Sequence, residues 1–296
     1  MARRNSRNRK RRRSRGRLGP LFKLLCLLAL LVALTAGVTV FFRVEVVAVT
    51  GNQRYTQEEI VEVSGIRTGD NLYGWNKFQV AQQLRQQLPY IGEVTIRRSL
   101  PSTVVITVDE WSAVAKILPP DADQTAQLRH ELEEASGTDQ PDELEDSSQA
   151  GSPPELDTVT DEPWLISVKG KLLEPAAGDS GGIMVTGLAA LLPQAGTALA
   201  VPQVQQARLD ALLKFLEAAE AAGMTGDFSM AILGRTRMEL RYLDRFTVKV
   251  ELSADFPYEL QVLQAVREDV DRKHGPQAGG SIDLTQAEHE AVLALE

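Results

Sequence analysis

Cysteine is almost absent from this sequence, because Cys26 is the single thiol in 296 residues. The chain therefore forms no internal disulfide, and its stability must come from packing. Histidine is nearly as scarce: His130, His274 and His289 are scattered, and none has a second ligand at the spacing of a zinc motif. Aromatic residues make up 5% of the chain, which argues against a sugar-stacking cleft.

Catalytic motifs are also missing, with one exception. No Gly-rich phosphate loop followed by Lys occurs. Residues 178–182 spell GDSGG, the surroundings of the nucleophile in chymotrypsin-like serine proteases. Ser180 would need a His base and an orienting acid, and the only preceding histidine, His130, lies in an acidic insert. We predict no catalytic residue, no cofactor and no metal site, and we interpret 178–182 as a turn between strands.

Charge is distributed unevenly along the chain. The net charge is -8, yet residues 1–23 contain eleven Lys or Arg and no acid. The next segment, Leu24–Phe42, is nineteen residues without charge, enough for a helix across a hydrocarbon core of about 30 Å. It is longer than the apolar stretch of a signal peptide, and no small-x-small cleavage site follows it.

This arrangement predicts a single-pass membrane protein. Because Lys and Arg beside a span stay in the cytoplasm, we expect a basic cytoplasmic tail at 1–23, a transmembrane helix at 24–42 and an extracytoplasmic remainder. The tail lacks interleaved aromatic residues, so we interpret it as contacting anionic lipid and not nucleic acid.

Residues 44–109 show sequence patterns typical of strands and helices, one after another. Val44–Thr50 is rich in β-branched residues, the pair Thr56 and Glu59 forms a capping box, and Asn76 can cap a second helix with apolar residues every four positions. Two alternating strands follow, at 93–98 and 103–109. The order strand, helix, helix, strand, strand predicts a small α+β domain at 43–111, with both helices on one face of a three-stranded sheet.

The composition then changes. Residues 118–162 hold fourteen acids against the single Arg129, so we expect a disordered insert that cannot bury enough apolar surface to order itself. It would interrupt a strand-rich β domain at 112–284 with two helices, one after Pro202 and one near Pro257, and 285–296 would be a C-terminal tail. The strands are expected at 164–168, 171–173, 182–186, 236–242, 246–251 and 280–284.

The first domain contains a series of short motifs in a fixed order. They are V-x-V-x-G-N at 47–52, Tyr55-Thr56-x-x-Glu59-Ile60, Gly69-x-Asn71-Leu72, Leu88-Pro89-Tyr90-Ile91, Arg98-x-Leu100-Pro101-x-Thr103 and Val105-x-Thr107-Val108-x-Glu110. This order resembles that of the POTRA domain of FtsQ/DivIB-type cell-division proteins. The second domain resembles the β domain of the same family more loosely, and the long acidic insert departs from it.

The resemblance implies a division scaffold at the septum, which binds single-span FtsL-type and FtsB/DivIC-type proteins and so helps control septal peptidoglycan synthesis. It also implies that a partner segment binds the C-terminal part of the β domain. On the physical ground that a strand near a chain end is often a sheet edge, we predict partner-binding residues Ser281, Ile282, Asp283 and Leu284. Two alternatives remain open: a membrane-anchored extracytoplasmic hydrolase, and a POTRA-based secretion or sporulation component.

Overall fold

The computed structural model of the chain describes residues 18–136, 156–178, 180–285 and 292–295. Its first element is helix α1, Leu18–Phe41, which contains most of the apolar run. Across these residues, no helix meets both the length and the apolar character needed to cross a membrane. The transmembrane helix therefore stays a prediction, and most of the basic tail lies outside the described residues.

The first domain is a three-stranded sheet packed with two helices. Strand β3 lies in the centre, parallel to β1 and antiparallel to β2, and both helices share one apolar core with the sheet. This confirms the order predicted from the sequence. The elements are β1 (Val46–Thr50), α2 (Gln57–Ser64), α3 (Lys77–Gln87), β2 (Ile91–Ser99) and β3 (Thr103–Glu110).

Side-chain caps fix where the two helices begin. The Thr56 hydroxyl accepts a hydrogen bond from the Glu59 amide at 3.2 Å, and the Glu59 carboxylate accepts one from the Thr56 amide at 2.8 Å, so the predicted capping box is confirmed. Asn76 caps α3 through the amide of Phe78. Helix α2 ends at Gly65, whose φ of 68° lies in the left-handed region that favours glycine.

The second domain is built on one nine-stranded sheet, in the order β12-β11-β10-β9-β8-β7-β4-β5-β6. The sequence predicts six of these strands and both long helices but misses β4, β8 and β12. Its elements are β4 (Ala115–Ile117), α4 (Ala122–Ser136), β5 (Trp164–Ile166), β6 (Leu172–Pro175), β7 (Ile183–Thr186), α5 (Gln206–Ala221), β8 (Phe228–Leu233), β9 (Arg237–Tyr242), β10 (Phe246–Glu251), α6 (Phe256–His274), β11 (Gly280–Asp283) and β12 (Val292–Leu295).

Aromatic contacts join α5 and α6 to the sheet. The ring of Phe215 on α5 lies 5.0 Å from that of Phe228 on β8 and 6.0 Å from that of Phe256 on α6, centroid to centroid. Edge-to-face pairs of this kind stabilise a core beyond the area they bury. Both helices therefore belong to the core of the second domain.

Helix α4 corrects the expectation of a disordered insert over residues 122–136. Leu128 is 2% exposed and Glu131 is 4% exposed, and the Glu131 carboxylate lies 2.5 Å from the guanidinium of Arg208 on α5. The acids that made this segment look disordered are thus partly neutralised by basic residues from far along the chain. Residues 137–155 of the insert lie outside the described residues.

A polar joint connects the two domains beside β6. Lys171, just before β6, donates through its Nζ atom to the carbonyl of Arg85 at 2.7 Å and to that of Ile91 at 2.6 Å. The Arg85 carbonyl belongs to the last turn of α3, where carbonyls lack donors within the helix. The Tyr90 hydroxyl donates to Glu174 at 2.5 Å. Burial and, to a smaller extent, the charge of Arg85 together lower the pKa of Lys171 to about 8.

Replacing Glu131 with Ala should lower the free energy of unfolding by about 3 kcal/mol, because Arg208 would stay buried without its partner. The matched control is Glu134→Ala on the same helix, which removes the exposed pair of Glu134 and Arg235 and should cost less than about 1 kcal/mol. Urea unfolding of the full chain, followed by circular dichroism, measures both. Equal unfolding midpoints for the two variants would contradict the packing of α4.

Lys171 should make the stability of the chain depend on pH. Its folded pKa is lower than the ordinary value of 10.5, so above about pH 8 the folded state releases a proton that the unfolded state retains. The unfolding free energy should therefore rise with pH between about 8 and 10, relative to that of Lys171→Met. Unfolding midpoints at pH 7.5 and pH 9.5 check this, and the same pH response in both proteins would contradict it.

Candidate protein-binding surface

The C-terminal strands form one end of the large sheet. Strands β9 and β10 make an antiparallel hairpin, and β11 follows β10 in parallel, with Val248 opposite Ile282. The hairpin turn holds Leu243 and Asp244 at φ values of 51° and 56°, a region that Asp tolerates better than most residues. The Ser229 hydroxyl donates to the Asp244 carboxylate and fixes the turn.

The predicted binding residues lie on and just after β11, and their side chains differ in exposure. Ile282 is fully buried in the core, whereas Ser281, Asp283 and Leu284 are half-buried. The expectation that this strand is a sheet edge is wrong, because β11 pairs with β10 on one side and with β12 on the other. Residues 292–295 of the expected C-terminal tail are the strand that covers it.

The sheet ends at β12, and the hydrogen-bond pattern shows which of its backbone groups point outward. The amides of Gly280 and Leu284 donate to carbonyls on the β10 side, so the intervening amides of Ser281 and Asp283 face β12. Their register partners, Ala294 and Val292, return these bonds. The N–H and C=O groups of residues 293 and 295 therefore point away from the sheet.

The opposite end of the sheet is covered. Strand β6 is flanked by residues 196–199: the Leu172 amide donates to the Thr197 carbonyl at 2.8 Å, and the Gly196 amide donates to the Leu172 carbonyl at 2.8 Å. A Cβ atom on Gly196 would lie 2.4 Å from the carbonyl oxygen of Gln86, so the first domain closes against this loop. Within the residues that the structure describes, no strand pairs with the outer side of β12, so its backbone groups are available for another strand.

Asp283 ends β11 with a local hydrogen-bonded cap. Its carboxylate accepts from the Thr285 hydroxyl at 2.7 Å and from the Thr285 amide at 2.9 Å. These hydrogen bonds hold the pKa of Asp283 below its ordinary value, with a smaller contribution from the charges of Lys249 and Arg237. The side chain is thus engaged within its own chain, and it positions the segment that leads to β12.

A shallow groove of about 480 Å³ lies on the same sheet, between β7 and β10. Met184, Met230 and Ile232 supply apolar surface, and the Arg241 guanidinium, which donates to the Thr247 hydroxyl at 3.0 Å, lies at its rim. The sequence analysis missed this surface because β8, with the sequence FSMAIL, is apolar on both faces and shows no clean alternation. An apolar floor with a polar rim suits side chains of a protein partner.

The GDSGG segment does not assemble a protease site in the described residues. The Ser180 hydroxyl donates to the Ala177 carbonyl at 2.8 Å, which closes a turn. His130 lies on α4, where its Nδ1 atom is 3.5 Å from Glu134. Asp179 lies outside the described residues. The described part of the chain also contains no cluster of three metal-ligating side chains.

Comparison with known proteins gives one family model and several relatives that match part of the chain. Residues 42–111 match the family model described as the POTRA domain, FtsQ-type. Cell division protein FtsQ of Geotalea daltonii is 30% identical over 79 residues, which are 27% of this chain and 28% of that protein. Cell division protein FtsQ of Corynebacterium glutamicum is 33% identical over 91 residues, 29% of this chain and 40% of that protein.

A third relative extends the comparison to the DivIB proteins. Cell division protein DivIB of Bacillus subtilis is 30% identical over 77 residues, 26% of this chain and 29% of that protein. The chain thus matches between 28% and 40% of the length of these three relatives. The chain is therefore similar to the FtsQ-type POTRA domain over residues 42–111 and to cell division proteins of the FtsQ and DivIB types.

Proposed function

We propose that this protein is a non-catalytic, membrane-anchored scaffold of the bacterial division machinery. It binds FtsL-type and FtsB/DivIC-type single-span proteins outside the membrane and so helps control septal peptidoglycan synthesis. The observation that carries the proposal is the free sheet edge at β12, in a chain whose first domain is an FtsQ-type POTRA domain. The names of the relatives, all cell division proteins, support the process.

The membrane part of the proposal depends on the sequence. The charge-free run 24–42 would cross the membrane as α1, with the basic tail in the cytoplasm and both folded domains outside. The tail would lie against anionic headgroups of the inner leaflet. Partners would then meet the second domain on the outer side of the membrane.

The binding step in this proposal is strand addition at β12. A partner segment in extended conformation would pair with the outward N–H and C=O groups of residues 293 and 295, and main-chain hydrogen bonds would supply affinity. Strand β11 would support β12 in this role, because its pairing sets the register of β12. The predicted residues Ser281, Ile282, Asp283 and Leu284 would thus act indirectly. Proline at Ile282 or Asp283 would disrupt an internal strand, so it cannot test binding separately from folding.

Replacing Leu293 with Pro should abolish capture of FtsB/DivIC-type and FtsL-type partners while leaving β12 in place, because the lost N–H points outward. Ala294→Pro removes an inward donor and should detach β12. Hydrogen exchange at the amides of Ser281 and Asp283 separates the two variants, since both amides face β12: protection should remain in the first variant and fall in the second. Pull-down with the full chain then measures binding.

The matched control for this test is Leu293→Val, which keeps the backbone donor and should retain binding. If Leu293→Pro captures the partners as strongly as the wild-type chain, the interface lies elsewhere, and the groove that includes Met230 and Ile232 becomes the surface to test.

The cellular role has its own test. A fluorescent fusion of the full chain should concentrate at the septum of dividing cells and co-purify with the single-span partners. Uniform membrane staining or forespore staining would favour the secretion or sporulation alternative. Cells that carry the Ser180→Ala variant should divide normally. A division defect, with the variant still folded, would favour the hydrolase alternative.

A further inference from the structure

Exposed apolar residues gather at the end of the first domain that adjoins α1. Beyond α1, seven large hydrophobic residues are exposed in the described part of the chain, and four of them belong to the first domain. Together with Phe41 they form what we call the helix-end patch. Its members and their exposed fractions are Phe41 68%, Val46 53%, Tyr73 53%, Phe78 73% and Leu100 61%.

Backbone hydrogen bonds hold these loops beside the end of α1. The Leu72 amide donates to the Phe42 carbonyl at 2.8 Å, and the Val44 amide donates to the Asp70 carbonyl at 2.8 Å. On the other side, the Glu45 amide donates to the Ser102 carbonyl at 2.8 Å. The loop that contains Tyr73 and the turn that contains Leu100 are therefore both hydrogen-bonded to residues 42–45, which directly follow α1.

Arg98 makes this arrangement rigid. Its guanidinium donates to the carbonyl of Leu72 at 2.6 Å and to that of Trp75 at 3.1 Å. It also lies over the rings of Tyr73 and Trp75, at 5.2 Å and 4.6 Å from their centroids. Because Asn76 caps α3 directly after this loop, Tyr73 and Phe78 are held outward by the fold and do not depend on loop motion for their exposure.

The charges around the patch suit a phospholipid surface. Arg43, Lys77 and Arg98 are cationic, and the Lys77 ammonium lies 5.1 Å from the Phe78 ring centroid. Two acids share this end of the domain, but each accepts a hydrogen bond from its own chain: Asp70 from the Arg67 amide and Glu45 from the Ser102 hydroxyl. Aromatic residues mixed with long basic side chains are typical of the headgroup level of a bilayer.

We infer that the helix-end patch is a second membrane contact, which seats the first domain in the headgroup layer of the bilayer that holds α1. This rests on the proposed membrane anchor. A helix that leaves the hydrocarbon core at Phe41 and Phe42 brings the tied loops to the interface. The patch then restrains the tilt of the first domain, and the joint at Lys171 transmits this orientation to the second domain.

Quenching of a fluorescent label in proteoliposomes tests this. Cys26 is replaced with Ser, and the polarity-sensitive dye NBD is attached to the full chain at one new cysteine: Leu31→Cys within α1, Gln79→Cys beside the patch, or Gln261→Cys on α6 as a control. The vesicles contain phosphatidylcholine and phosphatidylglycerol, with spin-labelled lipid quenchers at either a shallow or a deep acyl position. The label at 79 leaves every patch residue in place.

The expected result is loss of fluorescence at 31 with the deep quencher, loss at 79 with the shallow quencher, and no loss at 261. The triple variant Tyr73→Ser, Phe78→Ser, Leu100→Ser should abolish the quenching at 79 and leave that at 31 unchanged. Because all three side chains are more than half exposed, the variant keeps its core, and circular dichroism verifies this. The control Leu192→Ser, Tyr258→Ser removes two exposed apolar residues of the second domain and should change nothing.

The outcomes separate this inference from the proposed function. No quenching at 31 would overturn the anchor itself. Quenching at 31 without quenching at 79 would overturn the membrane contact alone, and so would quenching at 79 that persists in the triple variant. Shielding at 79 that appears only after the single-span partners are added to the vesicles would reassign the patch to a protein interface and also overturn the inference.

Discussion

The contact between the two domains is organised around one buried ammonium group, which lies beside a small apolar cluster of Tyr90, Leu165 and Leu173. Lys171 fills a position where the end of α3, the start of β2 and the start of β6 converge, and its ammonium donates to the carbonyls of Arg85 and Ile91. Tyr90 and Glu174 continue this contact on one side, and the loop at Gly196 closes it on the other. The large sheet therefore contacts the first domain through its β6 end.

A second buried cation, Arg208 on α5, plays a comparable part for α4. Arg208 holds α4 through Glu131, as Lys171 holds the first domain through carbonyls. In both cases a charge removed from water is matched by acceptors that come from distant parts of the chain, which is the condition under which a buried charge is tolerated. Long-range polar pairs, more than local preference, decide how the outer elements attach to the sheet.

The difference between long-range polar pairs and local preferences also explains how much of this fold could be predicted from the sequence. The first domain was predictable because its helices are specified locally, by Thr56, Glu59 and Asn76, and its strands alternate. Helix α4 was not, since its stability rests on Arg208, 77 positions from Glu131. Strand β8 is apolar on both faces, and β12, with the sequence VLAL, has no polar residue to alternate with, so neither has a periodicity that identifies it. The edge of the sheet was consequently placed one strand too far inward.

The order of strands also fixes the distance between the two ends of the large sheet. Eight steps separate β6, which lies at the joint, from β12, which carries the free edge, and at about 4.8 Å per step this amounts to roughly 38 Å. A helix needs about 25 residues to cover that length, since each residue adds about 1.5 Å. A single partner helix that contacts the first domain and also reaches β12 would therefore need about seven turns.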